Sequence, residues 1–116
     1  IQRQPEHYNA LNALGYSLAD RNVRLAEAKA LIEKALSLAP GDPFITDSLG
    51  WVLFRLGRPT EAITHLRKAF DARPDVEIAV HLGEVLWTLG DKTDALHYFK
   101  RAREIQPQSD VLDATL

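Results

Sequence analysis

The sequence predicts an all-α fold: a short solenoid of three antiparallel helix pairs, followed by a short C-terminal capping helix. Three landmarks support this prediction, because each recurs three times with a period of about 34 residues. They are a Leu-Gly step, an alanine pair seven residues apart, and a proline. The landmarks are Leu14-Gly15, Leu49-Gly50 and Leu82-Gly83; Ala28 with Ala35, Ala62 with Ala69 and Ala95 with Ala102; and Pro40, Pro74 and Pro107. Periods of this length are typical of stacked two-helix units.

The period divides the single domain, 1–116, into units at 8–42, 43–75 and 76–109. The second unit shows the pattern most clearly. Apolar residues at helical spacing form one stripe before Gly57 and another after it. The stripes are Ile45, Leu49, Val52, Leu53 and Leu56, then Ala62, Ile63, Leu66, Ala69 and Phe70. We expect Asp42 to cap the first helix, Pro43 to occupy its first turn and Gly57 to end it in a left-handed conformation.

The first and third units repeat this pattern with one-residue differences in their turns. Their stripes are Leu11, Leu14 and Leu18, then Ala28, Leu31, Ile32 and Ala35; and Ile78, Leu82, Val85, Leu86 and Leu89, then Ala95, Leu96, Phe99 and Ala102. The first unit has one extra residue in its internal turn at 20–24, and the third lacks one near Asp75. Residues 108–116 predict the start of a capping helix, with Ser109 or Asp110 as its cap, that covers the end of the stack.

The glycines of the Leu-Gly steps predict close contact between the helices of each pair. Gly15, Gly50 and Gly83 lie in the middle of helices, where glycine costs about 1 kcal/mol relative to alanine. That cost is explained if a neighbouring backbone approaches there. The first alanine of each pair would supply the other side of the contact.

This pattern resembles the tetratricopeptide repeat (TPR). Leu49, Gly50, Leu53, Gly57 and Ala62 carry the resemblance in the second unit, and three matched copies cover 8–109. The aromatic residue often found near the start of the family's first helix is replaced by other residues, which are Leu11, Thr46 and Ala79. The resemblance implies a right-handed superhelix whose first helices line a concave groove that binds peptides or protein segments. It also implies a scaffold or adaptor rather than an enzyme.

Three stretches, 13–20, 47–52 and 81–87, are similar to the C-terminal repeats of TPR lipoproteins of the Gram-negative outer membrane. That resemblance implies a periplasm-facing adaptor for a processing protease, with its lipid-anchored cysteine upstream of Ile1; otherwise a cytoplasmic location is expected. Because the chain starts without methionine, we expect it to be a fragment of a longer protein.

Aromatic and polar residues share the face of each first helix that is turned away from the apolar stripe. Aromatic anchors among hydrogen-bonding groups favour protein binding. The predicted groove residues are Asn9, Asn12, Tyr16, Phe44, Asp47, Ser48, Trp51, Arg55, His81, Glu84, Trp87 and Thr88. Two alternatives stay open: Trp51, Phe54 and Trp87 fill gaps between helices, or Phe44 is a staple residue at a helix start.

The charges of this face favour a mixed or basic ligand segment. Some TPR proteins clamp a C-terminal carboxylate with lysine, asparagine and arginine. The matching positions here, which are Asn12, Tyr16, Ser48, Glu77 and His81, carry no fixed positive charge. A clamp of that kind is therefore disfavoured. This face carries three carboxylates and one cation, which are Asp47, Glu77, Glu84 and Arg55.

Other classes of function find little support. A net charge of −2 disfavours nucleic acid, and the absence of cysteine excludes disulfides and thiolate zinc sites. No apolar run reaches the length of a membrane span, and we expect no cofactor. Glu77, His81 and Glu84 form only a weak metal set, and Ser48, Asp47 and His81 lack the glycines of a nucleophile elbow. We expect no enzyme; the alternative to a binding module is the structural tail of a longer array that stacks or self-associates.

Overall fold

Six helices form three antiparallel pairs in the computed structural model, which describes residues 3–106 and the side chains of 7–106. The helices are α1 (Arg3–Asp20), α2 (Leu25–Leu38), α3 (Pro43–Arg55), α4 (Pro59–Ala72), α5 (Val76–Thr88) and α6 (Lys92–Ile105). The described residues contain no strand. The all-α prediction with three helix pairs is confirmed, although α1 begins ahead of residue 8. The predicted capping helix at 108–116 lies outside the described residues.

The helix ends follow the local sequence signals. The carboxylate of Asp42 accepts hydrogen bonds from the backbone N–H groups of Phe44 and Ile45, at 2.9 and 3.1 Å, and thereby caps α3. Gly57 adopts the predicted left-handed conformation with φ of 83°. The first internal turn, 21–24, is one residue longer than the second, 56–58. The extra residue is accommodated by two left-handed residues that are not glycine, Asn22 and Arg24.

Each helix pair is held by close approach at its mid-helix glycine, as the sequence predicts. A Cβ atom at Gly50 would lie 2.7 Å from Cγ of Leu66 and 3.2 Å from the carbonyl oxygen of Ala62. At Gly15 it would lie 2.9 Å from the carbonyl oxygen of Ala28. Since such distances leave no room for a methyl group, glycine is what allows the helices to pack this closely.

The pairs stack so that the first helices form an inner layer. The backbones of α1 and α3 approach each other closely, as do those of α3 and α5, whereas the backbones of α2, α4 and α6 lie further apart among the described residues. Side chains still join α4 to α6, through the hydrogen bond from Arg67 to Asp94 and the packing of Phe70 against Tyr98. Helices that converge on one side and separate on the other curve the stack, and the first helices lie on its concave side. α3 is the central inner helix, and every residue from Ile45 to Leu53 is buried.

Three leucines assigned to apolar stripes are exposed, contrary to the sequence prediction. Leu14 and Leu96 are 51% and 54% exposed, and Leu89 is also exposed. Leu14 belongs to α1 and Leu96 to α6, and within the described residues each of these helices has a neighbouring pair on one side only. Leu89 follows the last turn of α5. The stripe is present at these positions, but no described helix covers it.

Candidate functional site

A buried polar cluster joins the three inner helices. Nδ1 of His81 on α5 lies 2.9 and 3.1 Å from the two carboxylate oxygens of Asp47 on α3. Its other ring nitrogen, Nε2, lies 3.3 Å from the hydroxyl oxygen of Tyr16 on α1. Three residues placed separately on the groove face by the sequence are thus linked, one from each unit.

The charge of this cluster is set by its surroundings. Burial disfavours the imidazolium, but the hydrogen bond and charge of Asp47, together with Glu84 and Glu77, outweigh it, so the pKa of His81 lies above its ordinary value. Burial, aided by nearby carboxylates, raises the pKa of Tyr16. These shifts favour the imidazolium form of His81, paired with Asp47, and the neutral form of the Tyr16 hydroxyl.

Trp51 continues the cluster towards the C-terminal ends of the inner helices. Its ring stacks on His81 with centroids 4.2 Å apart, and the guanidinium of Arg55 lies 5.0 Å from its ring centroid. Arg55 also donates a hydrogen bond of 3.1 Å to the backbone carbonyl of Asp20. Trp51 is only 5% exposed, which agrees with the alternative that it fills space between adjacent helices.

An open cleft of about 780 Å³ lies beside Trp51, between the ends of α3 and α5 and the start of α6. Its walls are aromatic and aliphatic, and its charged groups are two carboxylates and one guanidinium. The lining residues are Asp20, Trp51, Phe54, Arg55, Glu84, Trp87, Thr88, Leu96 and Phe99. Five of them were predicted groove residues: Trp51, Arg55, Glu84, Trp87 and Thr88.

The predicted groove residues did not include four of the lining residues, which are Asp20, Phe54, Leu96 and Phe99. Leu96 and Phe99 come from α6, an outer helix, whose apolar residues were all assigned to the core. Leu96 is exposed, and Phe99 is buried against Gly83 with an edge on the cleft. The sequence did contain a signal for this exposure. The repeat pattern ends after the third unit, so no helix within residues 3–106 follows α6 and covers it.

The remaining predicted residues lie outside this cleft. Asn9 is exposed and Asn12 is half-buried on α1. The Ser48 hydroxyl donates to the backbone carbonyl of Phe44 at 3.1 Å, which occupies it within its own helix. Phe44 is exposed and lies 5.6 Å below the guanidinium of Arg73. Because Asp42 is the cap, Phe44 is the second helical residue, and the staple assignment is wrong.

No group of His, Cys, Asp and Glu among the described residues has the arrangement of a metal site. The Asp47–His81 pair orients an imidazole, as in a catalytic triad, but the described geometry supplies no hydroxyl nucleophile for it. The Ser48 hydroxyl donates to a backbone carbonyl, and the Tyr16 hydroxyl lies at hydrogen-bonding distance from the other ring nitrogen of His81. Within residues 3–106, none of the helices combines the length and the apolar character that a membrane span requires.

These features define a helical-repeat protein with a ligand-sized cleft on its inner layer. The family model of the tetratricopeptide repeat matches residues 1–43 and 48–110, so the chain belongs to the TPR family. A TPR repeat-containing protein of Pseudomonas aeruginosa is 51% identical to it over 81 residues. The match covers 70% of this chain and 14% of that protein's length.

Solved structures share the fold at low sequence identity. An O-GlcNAc transferase of Thermobaculum terrenum superposes on 93% of this chain with a TM-score of 0.83 and 22% identity, over 21% of its own chain. The first TPR domain of RPAP3, bound to an HSP90 peptide, matches 94% of this chain and 86% of its own (TM-score 0.80, 16% identity). PcrH, in complex with the chaperone binding region of PopB, matches 95% and 89% (TM-score 0.78, 20% identity).

Proposed function

We propose that this domain is a protein-interaction module that binds a segment of another protein in the cleft between α3, α5 and α6. The observation that carries the proposal is the exposed apolar surface around that cleft. Trp87 is 46% exposed, and Leu96 is more than half exposed on the facing helix. Large aromatic side chains with nearby polar groups are the usual anchors of protein interfaces.

The neighbouring inner helices support the same function. The buried cluster of Tyr16, Asp47 and His81 fixes α1, α3 and α5 relative to one another, so the cleft is built on rigid elements. A preorganised site loses less conformational entropy when a ligand binds. Two proteins with the same fold, the RPAP3 domain and PcrH, have been solved with peptide or protein segments bound.

A displayed library of random peptides tests this function. The unaltered domain should enrich peptides, and the double variant Trp87→Ala with Leu96→Ala should retain at least about tenfold fewer of them, since interface anchors of this kind contribute ~2 kcal/mol or more. The matched control is Leu14→Ala with Leu38→Ala, which removes two exposed leucines that do not line the cleft. Equal recovery by both double variants, with unchanged circular dichroism, would contradict the proposal.

A narrower function is that of an adaptor for a periplasmic protease. It is supported by the resemblance of 13–20, 47–52 and 81–87 to the repeats of TPR lipoproteins. Its test is direct: the purified domain should bind a C-terminal processing protease of the source organism through the same cleft. Binding that survives Trp87→Ala with Leu96→Ala would place the protease elsewhere.

Self-association is the second candidate, because exposed apolar residues lie on the last described helix. Leu96 and Ile105 are both exposed on α6, and end-to-end stacking would cover them. Light scattering over a concentration series distinguishes the two functions. A mass that doubles with concentration, and that Ile105→Asp returns to the monomer value, would favour stacking.

A further inference from the structure

We propose that the cleft selects segments in which a large apolar side chain is adjacent to lysine or arginine, with the cation bound by Glu84. The inference rests on the proposed function and names the chemistry of the ligand. It begins from a carboxylate in the cleft lining that has no hydrogen-bonded or ion-paired cation among the described residues.

Glu84 is the carboxylate of the cleft lining on which the positive charges of His81 and Arg55 act only from beyond hydrogen-bonding distance. It lies half-buried on the cleft wall, yet it accepts no hydrogen bond and forms no ion pair within the part of the chain that the structure describes. The other acidic groups near it are engaged: Asp47 pairs with His81, and Asp20 pairs with Arg55. A half-buried carboxylate is stabilised by a cation, and none of the described side chains supplies one at hydrogen-bonding distance.

The one cation in the cleft lining is already used. The guanidinium of Arg55 covers the ring of Trp51, donates to the Asp20 carbonyl and lies 3.9 Å from the Asp20 carboxylate. Among the lining residues, two carboxylates therefore face one guanidinium. A further cation beside the cleft is the exposed ammonium of Lys92 over the ring of Trp87. Glu77, exposed two turns before Glu84 on α5, adds to the same field. Electrostatic complementarity thus favours a basic segment and disfavours an acidic one.

The aromatic wall can also hold a cation. The ammonium of Lys92 lies 5.0 Å from the ring centroid of Trp87, which shows that this ring face is reached by a positive side chain. Lys92 is exposed, so a ligand cation can replace it. The apolar part of the ligand then contacts Leu96 and Phe54 beside the ring. A ligand with one apolar side chain next to one cation therefore matches both the apolar surface of the cleft and its aromatic and acidic surface.

The test uses individual peptides taken from the displayed library and synthesised with a fluorescent label. The unaltered domain should enrich lysine or arginine next to a large apolar residue. Glu84→Gln should weaken binding of such a peptide about tenfold, equivalent to ~1.4 kcal/mol, and should reduce its salt dependence. Glu84→Lys should reverse the preference, so that the peptide with its lysine changed to glutamate binds better. Glu33→Gln is the control, because Glu33 lies on α2 and pairs with Lys29.

The outcomes separate this inference from the proposed function. Enriched peptides without a cation preference, acidic peptides, or equal affinity for Glu84→Gln and the unaltered domain would overturn the inference while leaving peptide binding intact. Peptides that bind equally to the Trp87→Ala, Leu96→Ala variant would overturn both. Circular dichroism of the Glu84 variants, matched to the unaltered domain, shows that the change acts on binding.

Discussion

Replacing Asp47 by asparagine should reverse the sign of the contribution that His81 makes to the pH dependence of the domain's stability. Asp47 and His81 are nearly inaccessible to water and 2.9 Å apart, and they join α3 to α5. Breaking a buried ion pair by removing one partner costs about 3–5 kcal/mol. Asparagine keeps the shape and one hydrogen-bond acceptor, so we expect Asp47→Asn to lower the free energy of unfolding by about 1–3 kcal/mol at slightly acidic pH.

The sign of the pH effect follows from the pKa of His81. In the unaltered domain this pKa is raised above its ordinary value of 6.5. The stabilisation is therefore fully present below pH 6.5 and is lost as the pH rises through the folded-state pKa. Without Asp47 the largest remaining influence is burial, which lowers the pKa of His81. In the variant, protonation of His81 then opposes folding, so this residue makes stability rise with pH.

Urea unfolding followed by circular dichroism, from about pH 5.5 to about pH 8.5 at constant ionic strength, measures the effect. The other groups near His81 are Tyr16, Glu77 and Glu84. They are present in both proteins, so the difference between the two curves isolates the pair. That difference should be largest at acidic pH and should shrink as the pH rises. A constant difference across the range would refute the reasoning, because it would mean that His81 is not charged in the folded state.

Three substitutions in the second pair, compared with one on α6 of the third pair, separate the physical effects that hold the repeat together. Gly50→Ala should destabilise by up to about 2 kcal/mol in urea unfolding, since overpacking against Leu66 exceeds the gain in helix propensity. Gly57→Ala meets no neighbouring atom within 4 Å, so its cost should come from the left-handed backbone alone, about 1–2 kcal/mol. Leu66→Ala, at a fully buried site, should cost about 2–5 kcal/mol, and Leu96→Ala, exposed, less than about 0.5 kcal/mol. Equal losses for the two leucines would contradict the assignment of core and surface.

The fold could be predicted from the sequence because the same pattern of small and large apolar residues occurs three times. Gly50 and Ala62 mark a close contact within one unit, and the period carries it to the other units. Exposure could not be predicted in the same way. Leu96 lies on a regular stripe, but a stripe shows only which side of a helix is apolar, not whether another helix covers it.

The sequence predicted that the residues of the buried cluster share the groove face, but not that they contact one another. Tyr16, Asp47 and His81 were each placed on the groove face. Asp47 lies two residues before Leu49, whereas His81 lies one residue before Leu82. The two residues therefore do not occupy the same position in their repeats, and the axial shift between α3 and α5 decides whether they meet. That shift results from the packing of whole helices, which one sequence does not specify.

The two junctions between outer helices give the domain an uneven compliance. α4 is tied to α6 by the hydrogen bond from Arg67 to Asp94 and by the edge-on packing of Phe70 against Tyr98. Among the described residues, no hydrogen bond, ion pair or ring contact joins α2 to α4. Parting α3 from α5 must in addition pull apart Asp47 and His81. Opening the outer side is therefore easier between the first and second pairs than between the second and third, so the domain adjusts its curvature to an occupant mainly at the first junction.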